Sequence, residues 1–233
     1  MRWLLTFFGT GIGKKLIMGL TGLFLIVFLV VHLAGNLQLL RDDNGMAFNI
    51  YARFMTTNPL IKFTSYGLYF FILLHAILGI IIALNNKTAK GGAYAVNNPS
   101  AGTSWASRNM ALLGTLIFAF LLIHMGDFWL KMKLGQLPEI PYEGQTGMFK
   151  DLYSRTAAAF SNIYIVITYV VGMIVLGFHL WHGFQSAFQT LGLNHPKYSP
   201  FVKNLGKVFS ILVPLGFAII PIWFYLFKAS SLS

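Results

Sequence analysis

The chain contains no cysteine and only six acidic residues in 233. Without cysteine there is no disulfide, no thiolate-held iron-sulfur cluster and no covalently attached c-type haem, so any metal must use histidine, carboxylate or carbonyl ligands. Charged residues make up 10 % of the chain and apolar ones 56 %, against roughly 25 % charged in an ordinary soluble domain. That balance excludes a soluble fold. No glycine-rich nucleotide fingerprint occurs either, which leaves no dinucleotide site in this chain. The 17 Lys and Arg give a net charge of +11, yet they stand in short stretches between apolar runs. With no basic stripe or aromatic-rich reader motif, nucleic acid is excluded as a partner, and the cations point to lipid headgroups and partner proteins.

What the chain does have is long apolar runs. About 20 mainly apolar residues cross a hydrocarbon core about 30 Å thick, and five runs qualify, at about 14–40, 61–85, 107–132, 162–192 and 202–228. They predict an all-α membrane protein, a single five-helix domain over 1–233. The first run is too long for a signal-peptide core and is followed by no small-residue cleavage pattern. Between the runs lie a polar segment at 41–59, an Asn-, Gly-, Ser- and Lys-rich loop at 85–107 and a long connection at 131–161 with Pro138 and Pro141. Five crossings put the termini on opposite sides. Lys and Arg then divide nine to eight in favour of the amino-terminal side, and all six acids fall on the other side. The small excess favours a cytoplasmic amino terminus in the cell's cytoplasmic membrane.

Each of the first four runs carries a histidine: His32, His75, His124 and His179. An ionisable ring at membrane depth loses its hydration and persists only where a partner inside the bundle offsets the loss. At about 1.5 Å per residue, His32 lies roughly 24 Å and His124 roughly 21 Å from the amino-terminal side. His75 lies roughly 13 Å from that side, and His179 roughly 24 Å down from the opposite one, which puts both in the nearer half. Two pairs at two depths are what two bis-histidine haems stacked along a bundle require. His182, one turn from His179, is an alternative ligand, whereas His195 beside Pro196 is a loop residue. Gly35, Gly79 and Gly183 follow their histidines by three or four residues, so a side-chain-free surface is expected near the histidine face. The plainer alternatives are hydrogen-bonded packing histidines and ordinary small-residue helix contacts.

The stretches KKLIMGLTGLFLIVFLVVHLAGNL (14–37), FNIYARFM (48–55), WASRNM (105–110) and FHLWHGFQSAFQTLGLNHP (178–196) resemble the single-chain di-haem cytochrome b membrane-anchor subunit of succinate dehydrogenase and fumarate reductase. The likeness covers essentially the whole chain. It implies a five-helix bundle enclosing two stacked b haems, bound to a flavoprotein subunit and an iron-sulfur subunit and exchanging electrons with menaquinone or another quinone. By that match His75 and His179 hold the haem nearer the iron-sulfur subunit and His32 and His124 the distal one. His179 is preferred over His182 because it stands four residues before the family's glycine, here Gly183. The resemblance also implies a cytoplasmic amino terminus. The chain departs from it where some fumarate reductases carry a glutamate two residues before the fourth ligand, here Gly177, and it has no Glu before Glu139 for quinol.

Other polar groups must then serve the quinone. Asp127, one turn beyond His124, is a candidate quinone or proton site, its alternative being a solvated helix-end charge; Arg41, Asp42 and Asp43 lie on the same side. Arg108 at the entry to the third run could pair with a haem propionate, since guanidinium suits carboxylate bidentately, or anchor the helix at the interface. The expected function is electron relay between the iron-sulfur subunit and quinone, with no bond-breaking on succinate by this chain and with a higher oligomer of the complex possible. Two alternatives are a cytochrome b subunit of a hydrogenase or formate dehydrogenase and a proton-coupled transporter.

Overall fold

The computed structural model of the chain describes residues 6–7, 9–89 and 104–228. In hydrocarbon an isolated segment can satisfy its backbone groups only as a helix, and the apolar runs obey this. Helix α1, Gly11–Asn36, tightens into a 3-10 turn at Leu37–Leu40. Thr10 fixes its start, its hydroxyl oxygen accepting from the Gly13 amide at 3.0 Å. A turn through Asn44 and Gly45, both at positive φ, leads into α2, Met46–Thr57. Asn58 then caps α3, Pro59–Ala89, accepting from the Leu60 and Ile61 amides. Pro59 stands at the helix start, where a missing N–H costs nothing.

The short α4, Trp105–Arg108, precedes α5, Met110–Lys133, which widens into a π-helical turn at Met125–Leu130 immediately after His124. Strands β1, Glu139–Ile140, and β2, Phe149–Lys150, pair antiparallel, Glu139 opposite Lys150 and Ile140 opposite Phe149. Helices α6, Leu152–Phe160, α7, Ile163–Thr190, and α8, Ser199–Phe227, complete the order. Five helices are long and apolar enough to cross a membrane: Gly11–Leu40, Pro59–Asn86, α5, α7 and α8. The chain is therefore an all-α, multi-pass membrane bundle.

Helix α7 is the hub, packing on α1, α5 and most extensively on α8. In their most apolar windows α7 and α8 have 28 % and 33 % of residues buried, whereas the first three spans have 11 %, 6 % and 6 %, so those three present most of their apolar surface outward. The α7–α8 contact is tightened by Pro214. A helical proline leaves the carbonyl four residues earlier without its partner, here that of Ser210. A Cβ on Gly177 of α7 would stand 3.1 Å from that oxygen, so only glycine lets the helices cross this closely.

The two connections on the acid-rich side fold into a cap. Asn49 of α2, 1 % exposed, donates to the Tyr142 hydroxyl (2.8 Å) and Asp151 carboxylate (3.1 Å), and its carbonyl oxygen accepts from the Leu152 and Tyr153 amides (3.1 and 3.0 Å). One amide thus joins α2, the hairpin and α6 with all its hydrogen bonds made. Beneath it lies the main core cluster, including Leu39, Phe48, Phe160, Tyr169 and Phe224. The segments at 41–59 and 131–161 are accordingly structured by α2, the hairpin and α6. Of the loop expected at 85–107, residues 85–89 continue α3 and 105–108 form α4, while 90–103 lie outside the described residues.

Candidate functional site

The four span histidines meet across the bundle in twos. On the cap side His32 of α1 faces His124 of α5, ring centroids 5.8 Å apart and planes at 85°. Toward the other end His75 of α3 faces His179 of α7 at 6.2 Å and 66°. The first pair is walled by aromatics: Phe28 stacks on His32 at 5.0 Å and Phe217 approaches it at 5.5 Å, while Phe120, Phe128 and Tyr169 surround His124.

The ring nitrogens are engaged unequally. His75 Nδ1 lies 3.1 Å from the Thr21 hydroxyl of α1, and His124 Nδ1 lies 3.3 Å from the Tyr169 hydroxyl of α7. His32 Nδ1 lies 3.3 Å from the side-chain amide of Asn36, which also donates to the His32 carbonyl at 2.7 Å. His179 Nδ1 is buried without a hydrogen-bond partner among the described residues. These contacts lie at Nδ1, so Nε2 is the nitrogen available toward the opposing ring. A metal–imidazole bond of about 2.0–2.1 Å on each side sets two ligating rings roughly 6 Å apart centre to centre, and both separations meet that requirement. Among the described residues no three His, Asp or Glu converge as a metal site. Two imidazoles per site suit a metal whose remaining positions a macrocycle fills, and the donor sets fit haem.

The glycine surface differs from the sequence expectation. Gly35 packs on the Tyr51 ring of α2, Gly79 faces the Met18 methyl, where a Cβ would lie 3.7 Å away, and Gly183 faces open space. The bare positions that meet imidazoles belong to neighbouring helices: a Cβ on Gly22 of α1 would lie 3.4 Å from His75 Cε1, and one on Gly114 of α5 3.9 Å from His179 Cε1. A ring reaches away from its own helix, so the room it needs is made by the helix across from it.

The remaining candidates lie at the two ends. His182 is half-buried one turn past His179. Arg108 is exposed at the end of α4, a turn whose Trp105 packs on Phe178 at 5.4 Å. Asp127, on the π turn, takes Lys131 at 3.0 Å and also the Arg155 guanidinium of α6. It is therefore an ion-paired carboxylate and also part of the wall of a cavity of about 420 Å³ between α5 and α7, whose other polar groups are Lys131, Thr168 and Tyr169. Asp43 caps α2 through the Gly45 and Ala47 amides and stands 3.8 Å from Arg41, and Asp42 pairs with Lys228 at 3.6 Å. These acids serve the cap.

Thr21, Asn36, Tyr169 and Arg155 were not singled out by sequence. Depth carried a signal for one of them. Tyr169, six residues into α7, lies about 9 Å from the cap side, as His124 does in a core of about 30 Å. Comparison of the chain with family models, curated proteins and solved structures gives no match.

Proposed function

We propose that this protein is the cytochrome b membrane anchor of a succinate:quinone oxidoreductase, carrying electrons between an iron-sulfur partner subunit and a quinone such as menaquinone. The observation that carries the reading is the meeting of four histidines from four helices as two opposed pairs at two levels. His75 and His179 hold the haem nearer the iron-sulfur and flavoprotein subunits, and His32 and His124 hold the distal one. Bound haem supplies reversible one-electron transfer, with potentials set by axial ligands and surroundings.

The chain's own residues bind, orient and exclude water. Phe28, Phe120, Phe128 and Phe217 wall the distal imidazoles, and the cap of α2, the hairpin and α6 closes that end. The cavity between α5 and α7 takes the quinone head, with apolar walls for the ring and Asp127, Lys131, Thr168 and Tyr169 for its oxygens. The amino-terminal side faces the cytoplasm and receives the partner subunits on a surface without acidic residues.

An absorption spectrum of the purified protein tests the reading: reduced b-type bands and two haems per chain are expected, and their absence rejects it. His32→Ala and His124→Ala each remove one haem, and the same one; His75→Ala and His179→Ala each remove the other. Loss of a haem in His182→Ala with both retained in His179→Ala overturns the ligand assignment. Co-purification with hydrogenase or formate dehydrogenase subunits would move the chain to another dehydrogenase.

A further inference from the structure

Thr21 and Gly22 are adjacent on α1, and both address a ring that belongs to α3. Thr21 is 3 % exposed. Its hydroxyl lies 2.8 Å from the Ile17 carbonyl, 3.1 Å from that of Met18 and 3.1 Å from His75 Nδ1. A hydroxyl has one proton. Carbonyls can only accept, so that proton goes to the helix backbone and the hydroxyl oxygen is left to accept from Nδ1–H of His75. That bond fixes the tautomer: proton on Nδ1, lone pair on Nε2. The next residue, Gly22, sets a bare Cα against Cε1 of the same ring; a Cβ there would lie 3.4 Å from it. His179, across the pair, has no hydrogen-bond partner at Nδ1 among the described residues.

We propose that Thr21 and Gly22 form a seat that positions the His75 imidazole, with Thr21 as a positioning residue that fixes its tautomer and tunes the strength of its Nε2 lone pair toward a shared metal. This rests on the reading of the pairs as haem ligands. A hydrogen bond accepted from the distant ring nitrogen raises the basicity of the ligating one. A more basic ligand favours the oxidised metal, so loss of the Thr21 bond should raise the potential of the centre held by His75 and His179 and leave the other unchanged. The unequal pair has a second consequence: the tuning acts from α1 through α3 alone, since α7 offers no such partner.

The test uses the full haem-loaded complex and compares Thr21→Val, Thr21→Ser and Thr115→Val. Valine keeps the shape of threonine and removes the hydroxyl; serine keeps the hydroxyl. Thr115 is an exposed span threonine whose hydroxyl donates to the Ala111 carbonyl of its own helix, and it serves as control. Potentiometric titration of each haem band is the readout. In Thr21→Val the reduction equilibrium constant of one haem should rise by up to about tenfold, the net worth of one hydrogen bond, and tenfold is about 59 mV for a one-electron couple. Thr21→Ser and Thr115→Val should match the parent. Selective loss of that one haem in Thr21→Val, with retention in Thr21→Ser, supports the seat as well. Unmoved midpoints in Thr21→Val, or equal shifts of both haems, overturn it. If Thr21→Val does not accumulate, Thr21→Ala is judged by the same outcomes. Pulsed EPR on the unmodified complex adds a measurement without substitution: a hydrogen-bonded, exchangeable Nδ1 proton is expected on one ligand of this centre, and equivalent protons on both ligands overturn the proposal. A parent complex without haem rejects the proposed function instead; a haem-loaded one indifferent to Thr21 rejects only the seat.

Discussion

Replacing Gly177 by alanine should destabilise the bundle, and the same change at Gly183 should not. Both glycines lie within α7, six residues apart, so the gain in helix propensity on going from Gly to Ala, up to about 1 kcal/mol, is common to both and cancels in the difference. What differs is the neighbour. A Cβ at Gly177 would stand 3.1 Å from the Ser210 carbonyl oxygen and 3.8 Å from Pro214 Cγ, whereas nothing lies within 4 Å of one at Gly183. Ordinary contact begins at 3.4 Å, so α7 and α8 must part by a few tenths of an ångström, and the obstacle is backbone, which cannot rotate away. Overpacking of this kind costs about 1–3 kcal/mol. Thermal unfolding in one detergent should therefore place Gly177→Ala below Gly183→Ala by several degrees, at roughly 2–4 °C per kcal/mol for a chain of this length. A Gly177→Ala protein as stable as Gly183→Ala refutes the close-crossing argument. Gly177→Glu should fare worse, since it adds a charge to the same clash.

Three further outcomes follow from the cap and the cavity. Asn49→Leu strips the Leu152 and Tyr153 amides of their acceptor and Asp151 of one donor. At about 1–3 kcal/mol for each buried group left unpaired, a loss of at least about 3 kcal/mol is expected, and an unchanged melting temperature refutes Asn49 as the joint of the cap. Asp127→Asn leaves Lys131 and Arg155 without their carboxylate, so that cluster goes from +1 to +2; quinone turnover should slow with both haems retained, and unaltered kinetics reject a quinone role. Burial pushes the Tyr142 hydroxyl above its ordinary value of 10.0, so the folded chain holds that proton longer than the unfolded one. The resulting stability is present below pH 10 and is lost as pH rises through the raised value. Tyr142→Phe should flatten the alkaline edge of a stability–pH curve, and an edge of unchanged slope rejects Tyr142 as its source.

The spanning helices were legible because hydrocarbon enforces them: run length and composition place each end within about three residues of the structure. Rise per residue put His32 and His124 at one level and His75 and His179 in the same half of the core, which left the partners of each ring few alternatives. The cap was illegible for the opposite reason. Segments 41–59 and 131–161 are polar and short in apolar period, and their order comes from Asn49, whose four partners stand 93 to 104 residues away in sequence. Asp127 was visible as a charge near a histidine, but its pairing with Arg155 depends on how α6 returns over the π turn. The glycines misled because spacing along one helix identifies its own face, while the space beside an imidazole is set by the helix opposite.

The two pairs are built for different surroundings. His32 and His124 sit among Phe28, Phe217, Phe120 and Phe128, with Tyr169 rooted in the buried core under the cap. Among the described residues no further aromatic ring stacks on His75 or His179; what addresses them there is a hydroxyl, two bare Cα positions and, on His179, a buried Nδ1 without a partner. Aromatic walls exclude water and lower the local dielectric, which disfavours added positive charge on anything held there. A site approached by a hydroxyl and exposed backbone tolerates that charge better. If the two pairs hold the proposed haems, the centres should therefore differ in potential, the cap-side one being the easier to reduce, and the gradient would favour electron transfer toward the cavity at Asp127. Resolved midpoints in the opposite order, assigned through the His32→Ala and His75→Ala proteins, would show that the walls do not set the gradient.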